Sequence, residues 1–143
     1  MNPEAAAPPA RKLPELEPDT AFFWTSGEDG RLRIQRCRDC GHYQHPPLPR
    51  CPKCHGEAVA PEAVSGEARV ATYTINYEPW LPGLPVPFVF AAVELAEQAQ
   101  LYVFTNILAP IHAVRIGQPV KVSFERHEDV WLPMFAPMEA ADA

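Results

Sequence analysis

From Gly66 onward, apolar residues recur at every second position, the period of a strand with one covered face. Arg69 to Tyr77 puts Ala71, Tyr73, Ile75 and Tyr77 on one side. Pro87 to Leu95 holds the dense run Phe88-Val-Phe-Ala-Ala-Val93, expected of a strand buried on both faces. Gln100 to Leu108 offers Leu101, Val103 and Ile107 to one face. Val120, Val122 and Phe124 alternate with Lys121, Ser123 and Glu125, and Val130-Trp131-Leu132 closes the series before Pro133. About five strands, separated by Gly/Pro breakers and without a long helical period, predict a small antiparallel barrel or sandwich. A five-stranded OB-like barrel fits the count, with an SH3-like barrel as the alternative.

Upstream the pattern changes. Residues 1–18 are Ala/Pro/Glu-rich and read as a flexible arm. Asp19 or Thr20 can cap a short helix through Ala21-Phe-Phe-Trp-Thr-Ser26, ended by Gly27 and Gly30, so residues 19–30 form a helical segment. Phe22, Phe23 and Trp24 cannot all face one side of a helix, so at least one must meet another domain, a ligand or a partner. Leu32 and Ile34 alternate with arginines and Gln35 as a short strand. The segment Glu78-Pro-Trp-Leu-Pro-Gly-Leu-Pro-Val-Pro87 is too proline-rich for a strand. It reads as a stiff loop over the barrel mouth, or as a preorganised apolar surface carrying Trp80, Leu81 and Leu84.

Composition then narrows the classes. The chain has 143 residues, is 47% hydrophobic, and carries a formal charge of −6. No apolar run approaches the roughly 18 residues of a membrane span, and Met1 to Ala10 lacks a secretory pattern, so a cytoplasmic protein is expected. The acidic total argues against a general nucleic-acid binder. Charge is uneven, however. Arg31, Arg33, Arg36, Arg38, Arg50 and Lys53 face only Asp39 within residues 31–53, a local charge of +5 in a chain that is otherwise −11.

All four cysteines lie in or beside that island: Cys37, Cys40, Cys51 and Cys54, spaced C-x2-C-x10-C-x2-C. Each pair can aim two thiolates from one turn at a single ion, so a tetrahedral four-thiolate structural site follows. Gly41 and the His55-Gly56 step supply turn residues, glycine tolerating positive φ, and Pro52 presets φ. Zn2+ is favoured over iron, which the same donor set can hold. Redox C-x-x-C chemistry lacks its βαβ context, and structural disulfides need an oxidising compartment. Four thiolates leave no open position for catalysis, and His42, His45 and His55 read as surface or outer residues. The ribbon, residues 31–62, is too small for a core of its own, so metal binding supplies folding energy. The barrel then occupies 63–138, with a tail at 139–143.

In order, Phe23-Trp24, Gly30-Arg-Leu-Arg-Ile-Gln-Arg-Cys37, Cys40-Gly41, Pro46-Pro47, Arg50-Cys51-Pro52 and Cys54 resemble the acyl-CoA-associated zinc-ribbon/OB-fold family. Ala71-Thr-Tyr-Thr74, Ile116-Gly-Gln-Pro-Val120 and Pro133-Met-Phe-Ala-Pro137 resemble its barrel signatures, so the match runs from about 19 to 137. Two departures stand out: the respaced run Pro46-Pro-Leu-Pro-Arg50, and Ala136 where the family commonly has arginine. The resemblance implies a mainly β fold: an N-terminal helix, a rubredoxin-like ribbon and a C-terminal OB barrel. It also implies an accessory subunit of thiolase-like enzymes, acyl-CoA aldolases or some hydratases, as in aromatic or steroid side-chain degradation.

The residues agree in part. A thiolase needs a cysteine nucleophile with a histidine base, and here all four cysteines are assigned to metal; nothing beside His112 or His127 makes a nucleophile. No catalytic residue is therefore assigned. The expected role is a non-catalytic partner in a hetero-oligomer with a thiolase-like catalytic subunit, shaping or covering an acyl-CoA site. Arg33, Arg36, Arg50 and Lys53 are candidates for the CoA phosphates or the partner, and Phe22, Trp80 and Leu84 for the acyl or pantetheine part. Two other readings stand beside it: a single-strand-binding ribbon/OB module, and a purely structural assembly subunit. The first is disfavoured because residues 66–137 carry Arg69, Arg115, Lys121 and Arg126 against seven acids.

Overall fold

The computed structural model describes residues 11–138. A short helix α1 (Ala21–Trp24) and a 3-10 turn η1 (Ser26–Glu28) precede a three-stranded sheet of β1 (Arg33–Cys37), β2 (Tyr43–Gln44) and β3 (Val59–Ala63) in the order β2-β1-β3. Five further strands follow: β4 (Glu67–Asn76), β5 (Phe88–Leu95), β6 (Tyr102–Ile107), β7 (Pro119–His127) and β8 (Val130–Pro137). They close into a barrel in the order β4-β5-β6-β8-β7. Among the described residues no helix is long and apolar enough to cross a membrane.

The expected mainly β architecture is therefore present, with two local corrections in the helical segment and one in the arm before it. Thr20 occupies the position before α1, yet its side chain makes no capping bond. The helix ends at Trp24 rather than Ser26, because Thr25 and Ser26 turn their hydroxyls back onto the carbonyls of Ala21 and Phe22 at 2.8 and 2.9 Å. Ser26 Oγ then accepts the Arg33 amide at 3.0 Å, tying the turn to β1. Of the expected arm 1–18, residues 1–10 lie outside the described residues. Arg11 and Leu13 are fixed on the barrel, the first by an ion pair with Glu125 and the second by packing against Val130, Leu132 and Met134.

Ribbon and barrel share one core. Phe23, Leu32, Ile34 and Tyr43 pack into the same buried cluster as Val70, Val93, Val103, Val120 and Phe135. Phe23 answers the problem of three consecutive aromatics. Its ring meets Trp24 edge-on at 4.8 Å and His45 of the ribbon at 4.5 Å. His45 is accordingly half-buried, not a surface residue, and burial pushes its pKa down to about 4.

The barrel strands keep the predicted period with four changes. A register shift between Val70 and Thr72 against β5 inserts a bulge in β4. It moves the inward face from Ala68 and Val70 to Tyr73 and Ile75, a slip that period-two reading cannot carry across. Tyr77 falls beyond β4 and is exposed. Strand β5 is buried on both faces only in part: Val89, Ala91, Val93 and Leu95 fill the inner face and Ala92 is buried on the other, while Phe90 points out and stacks with Phe104 of β6 at 5.9 Å. Finally, β8 runs through Pro133 to Pro137. Phe135 offers its carbonyl to Leu108 N–H at 2.8 Å, on the β6 side. Residues two apart face the same way, so Pro133 and Pro137 turn their missing donors away from the β7 ladder, where a proline costs no bond.

Candidate metal centre and apolar groove

Two equivalent turns build the cysteine cluster. In the first, Gly41 N–H donates to Cys37 O and Cys37 N–H to His42 O, both at 2.9 Å. In the second, His55 N–H donates to Cys51 O at 2.8 Å and Cys51 N–H to Gly56 O at 2.9 Å. Gly41 takes the positive φ of 83° in the first turn; in the second that conformation falls on His55, φ 68°, not on Gly56. Gly56 lies close to its surroundings instead: a Cβ there would stand 2.8 Å from Asp39 Oδ2, the tip of an exposed side chain, and 3.3 Å from Cys54 Sγ.

The four sulfurs lie within 4.8 Å of one another, with Cys37–Cys54 and Cys40–Cys51 separations of 3.6 Å. Zn–S bonds of about 2.3 Å in a tetrahedron put sulfurs about 3.8 Å apart, whereas a disulfide needs about 2.05 Å. All four are free thiols in an arrangement that fits one ion. The turn amides favour thiolate at Cys37 and Cys51, while the neighbouring thiols and burial outweigh the turn amides at Cys40, which is raised, and at Cys54, which is pushed up to about 12. The Cys40 amide, opposed by burial and aided by the Asp39 amide, lowers the Cys37 pKa. The Cys54 amide, with that of Lys53, brings Cys51 to about 7. The donor set can therefore hold a metal.

The basic island is largely neutralised by acids just outside it in sequence. Arg33 pairs with Asp29 at 2.7 Å and holds that carboxyl down at about 2. Arg36 pairs with Glu62 at 2.8 Å, donates to Gly41 O at 3.0 Å and lies 4.6 Å over the Tyr43 ring. Arg50 pairs with Glu57. Lys53 is exposed and forms no ion pair among the described residues.

The apolar candidates fall in two places. Trp80 and Leu84 line an open groove of about 420 Å³ on the barrel, and Leu84 is buried while Trp80 is 63% exposed. Phe22 lies elsewhere, in a cleft with Leu48 and Val59. The groove's other walls are Phe88, Phe90 and Phe104 from β5 and β6, Leu132 to Met134 from β8, and Phe23 and Trp24 from α1. The alternation of apolar residues does not reveal Phe88, Phe90 and Phe104 as groove walls, because period two marks a face, not whether anything covers it. Arg11 also lines the groove, donating to Asn106 Oδ1 at 2.9 Å. Glu125, its ion-pair partner, also holds His127 Nε2 at 2.8 Å. Thr105 Oγ1 donates to Pro133 O at 2.9 Å across the groove floor.

Comparison with known proteins agrees with this layout. Residues 24–60 match the family described as ChsH2, rubredoxin-like zinc ribbon domain, and residues 61–125 match ChsH2, C-terminal OB-fold domain. A chain of the Ltp2-ChsH2(DUF35) aldolase superposes with a TM-score of 0.78 at 31% identity, covering 87% of this chain and 98% of that one. The 3-oxo-4,17-pregnadiene-20-carboxyl-CoA hydratase alpha subunit of Mycobacterium tuberculosis is 34% identical over 137 residues, 96% of this chain but only 43% of that subunit. Benzoylsuccinyl-CoA thiolase subunit BbsA of Thauera aromatica is 30% identical over 98 residues, 64% of this chain and 67% of BbsA. This chain thus spans less than half of the hydratase subunit it resembles. Matched across both ribbon and barrel, it belongs to the ChsH2 family of zinc-ribbon/OB-fold proteins.

Proposed function

We propose that this chain is a non-catalytic accessory component of a thiolase-like enzyme, a thiolase or retro-aldolase of acyl-CoA catabolism, and that it helps to assemble or cover the acyl-CoA site. The observation that carries this reading is the superposition on 98% of a chain from the Ltp2-ChsH2(DUF35) aldolase. The name of BbsA, a thiolase subunit, supports the same class of partner. The open groove walled by Phe88, Phe90 and Phe104 offers an apolar surface on which a partner or an acyl group could rest.

Zn2+ is the ion assigned to Cys37, Cys40, Cys51 and Cys54, on their all-thiolate donor set and spacing. Four filled positions give it a structural task, holding ribbon residues 31–62 against barrel residues 63–138. Four free thiols fit a reducing compartment, which supports a cytoplasmic location. Of the CoA-phosphate candidates, Lys53 is the one without a carboxylate partner among the described residues. Arg33, Arg36 and Arg50 would have to exchange Asp29, Glu62 and Glu57 for a phosphate. Trp80 and Leu84 are the acyl- or partner-facing candidates of the groove, with Phe22 a separate one.

The test is affinity purification of the full chain from native extract, with mass spectrometry of what accompanies it. A thiolase-like subunit in stoichiometric amount is expected, and its absence overturns the reading. Replacing Arg36 and Arg50 with alanine in the recovered complex then separates two roles. A raised KM for the acyl-CoA supports ligand contact; an unchanged KM with intact assembly leaves a structural role.

A further inference from the structure

The segment before α1 lies across β8 and is held there by side chains alone. Arg11 donates to Asn106 Oδ1 of β6 at 2.9 Å and forms an ion pair with Glu125 of β7. Because β8 stands between those two strands in the barrel, the guanidinium reaches over it. Leu13 packs on Val130, Leu132 and Met134, the face of β8 opposite the core residue Phe135. Residues 11–14 make no backbone hydrogen bond among the described residues, so this strap is fastened at two points only.

One of those points divides two apolar hollows. Next to the groove of about 420 Å³ lies a second hollow of about 310 Å³, beside Pro85, Pro87 and Ile111. The two share Arg11, Leu84, Phe88 and Asn106, which therefore form the wall between them. Three of the four are fixed by the barrel. Leu84 is buried, Phe88 opens β5, and Asn106 lies in β6 with its side-chain amide on Val89 O at 3.1 Å. Arg11 alone comes from the strap.

The lining also says what the joined hollows would hold. Asn106 is bonded to Arg11 and Val89, and Thr105 to Pro133, so these polar groups are occupied within the chain and hydrocarbon walls remain. Lys12, exposed on the groove and without an ion pair among the described residues, puts a positive charge at its rim. An acyl chain carried by an anionic thioester such as acyl-CoA complements both features.

We propose that residues 11–13 are a displaceable latch: release of Arg11 from Glu125 and Asn106 joins the groove to the second hollow and admits the tail of a long acyl-CoA. This rests on the acyl-CoA reading above and adds to it a selection by chain length. A long chain has to displace the latch, so its affinity is reduced by the fraction of molecules in which the latch is closed. A short chain housed in the groove is not affected.

The experiment uses the full chain, alone and in the complex recovered with its catalytic subunit, with Arg11→Ala and, as a milder second variant, Glu125→Gln. Dodecanoyl-CoA should bind both variants about fivefold tighter than the parent, while butanoyl-CoA binds all three alike. A second readout needs no ligand. In a Trp80→Phe, Trp131→Phe background only Trp24 emits, and it lines the groove beside the strap. Its quenching by acrylamide should rise about twofold in the latch variants, as expected of a local opening, with the melting temperature little changed. Quenching of Trp24 that stays at the parent value overturns the latch. An equal change for the short and the long acyl-CoA also overturns it, since Arg11 is then a charge acting on the CoA end. Either result, in a complex that still assembles, leaves the accessory role standing. Binding of neither acyl-CoA, by the chain or by its complex, overturns both the latch and the acyl-CoA reading.

Discussion

The side-chain amide of Gln98, in the loop after β5, makes both backbone hydrogen bonds of Tyr43: Tyr43 N–H to Gln98 Oε1 and Gln98 Nε2 to Tyr43 O, each 2.9 Å. One glutamine thus stands in for a neighbouring strand at the edge of β2 and fastens the ribbon to the barrel. Gln98→Ala should lower stability by about 1–3 kcal/mol, because the Tyr43 groups lose their partners in a buried setting. The amide of Tyr43 should exchange faster, while those of β7 and β8 stay protected in proportion to global stability alone. Unchanged exchange at Tyr43 would show that the pairing does not hold the ribbon.

Loss of the metal should be felt across the whole chain. Leu32 and Ile34, buried at 1% and 0% exposure, belong to the core that also contains Phe135. Cys51→Ser, which removes the ligand poised at about pH 7, should abolish one equivalent of bound Zn2+ by elemental analysis. It should also lower the melting temperature of the single unfolding transition. A barrel transition unmoved by the loss of metal would mean that ribbon and barrel unfold independently.

Core and groove aromatics should respond oppositely to truncation. Phe135 is fully buried, so Phe135→Ala should cost about 3–5 kcal/mol. Phe104, 71% exposed, should change stability by no more than about 0.5 kcal/mol when replaced by alanine, although it lies in the same barrel. Urea denaturation of the two variants measures both.

Gly27 marks where η1 lies against the barrel. A Cβ built there would stand 2.6 Å from both Phe124 Cγ and Trp131 Cβ. Neither ring can withdraw without disturbing the β7–β8 pair, so Gly27→Ala should destabilise by about 1–3 kcal/mol. A neutral or stabilising substitution would place η1 farther from the barrel than the structure does.

His45 gives stability a pH dependence of defined sign. Its ring lies tilted against Phe23, its Nδ1 has no hydrogen-bond partner among the described residues, and burial lowers its pKa from 6.5 to about 4. The folded state therefore binds the proton less readily than the unfolded chain. The neutral ring's contribution is present above about pH 6.5 and is lost progressively as pH falls toward 4, by up to about 3 kcal/mol. His45→Phe should flatten that fall relative to the parent chain. Acid loss of metal is common to both proteins and cancels in the difference between their stability curves.

The most local features were legible from sequence alone. Spacing of Cys37, Cys40, Cys51 and Cys54 predicts the metal cluster because a two-residue gap leaves one tight turn as its short solution. The strands around Val103, Val120 and Phe124 are legible because a strand's alternation is written in adjacent residues. Closure of the barrel decided the rest. The bulge after Val70, the extension of β8 through Pro133 and the outward turn of Phe90 depend on which strand lies alongside, which no local period records. The charge pattern changed for the same reason. Arg36 meets Glu62 because β1 pairs with β3, and Arg11 meets Glu125, 114 residues away, because β7 passes beside the segment before α1. Sequence set the charges and the faces; the folded chain decided which charges cancel and which face remains open.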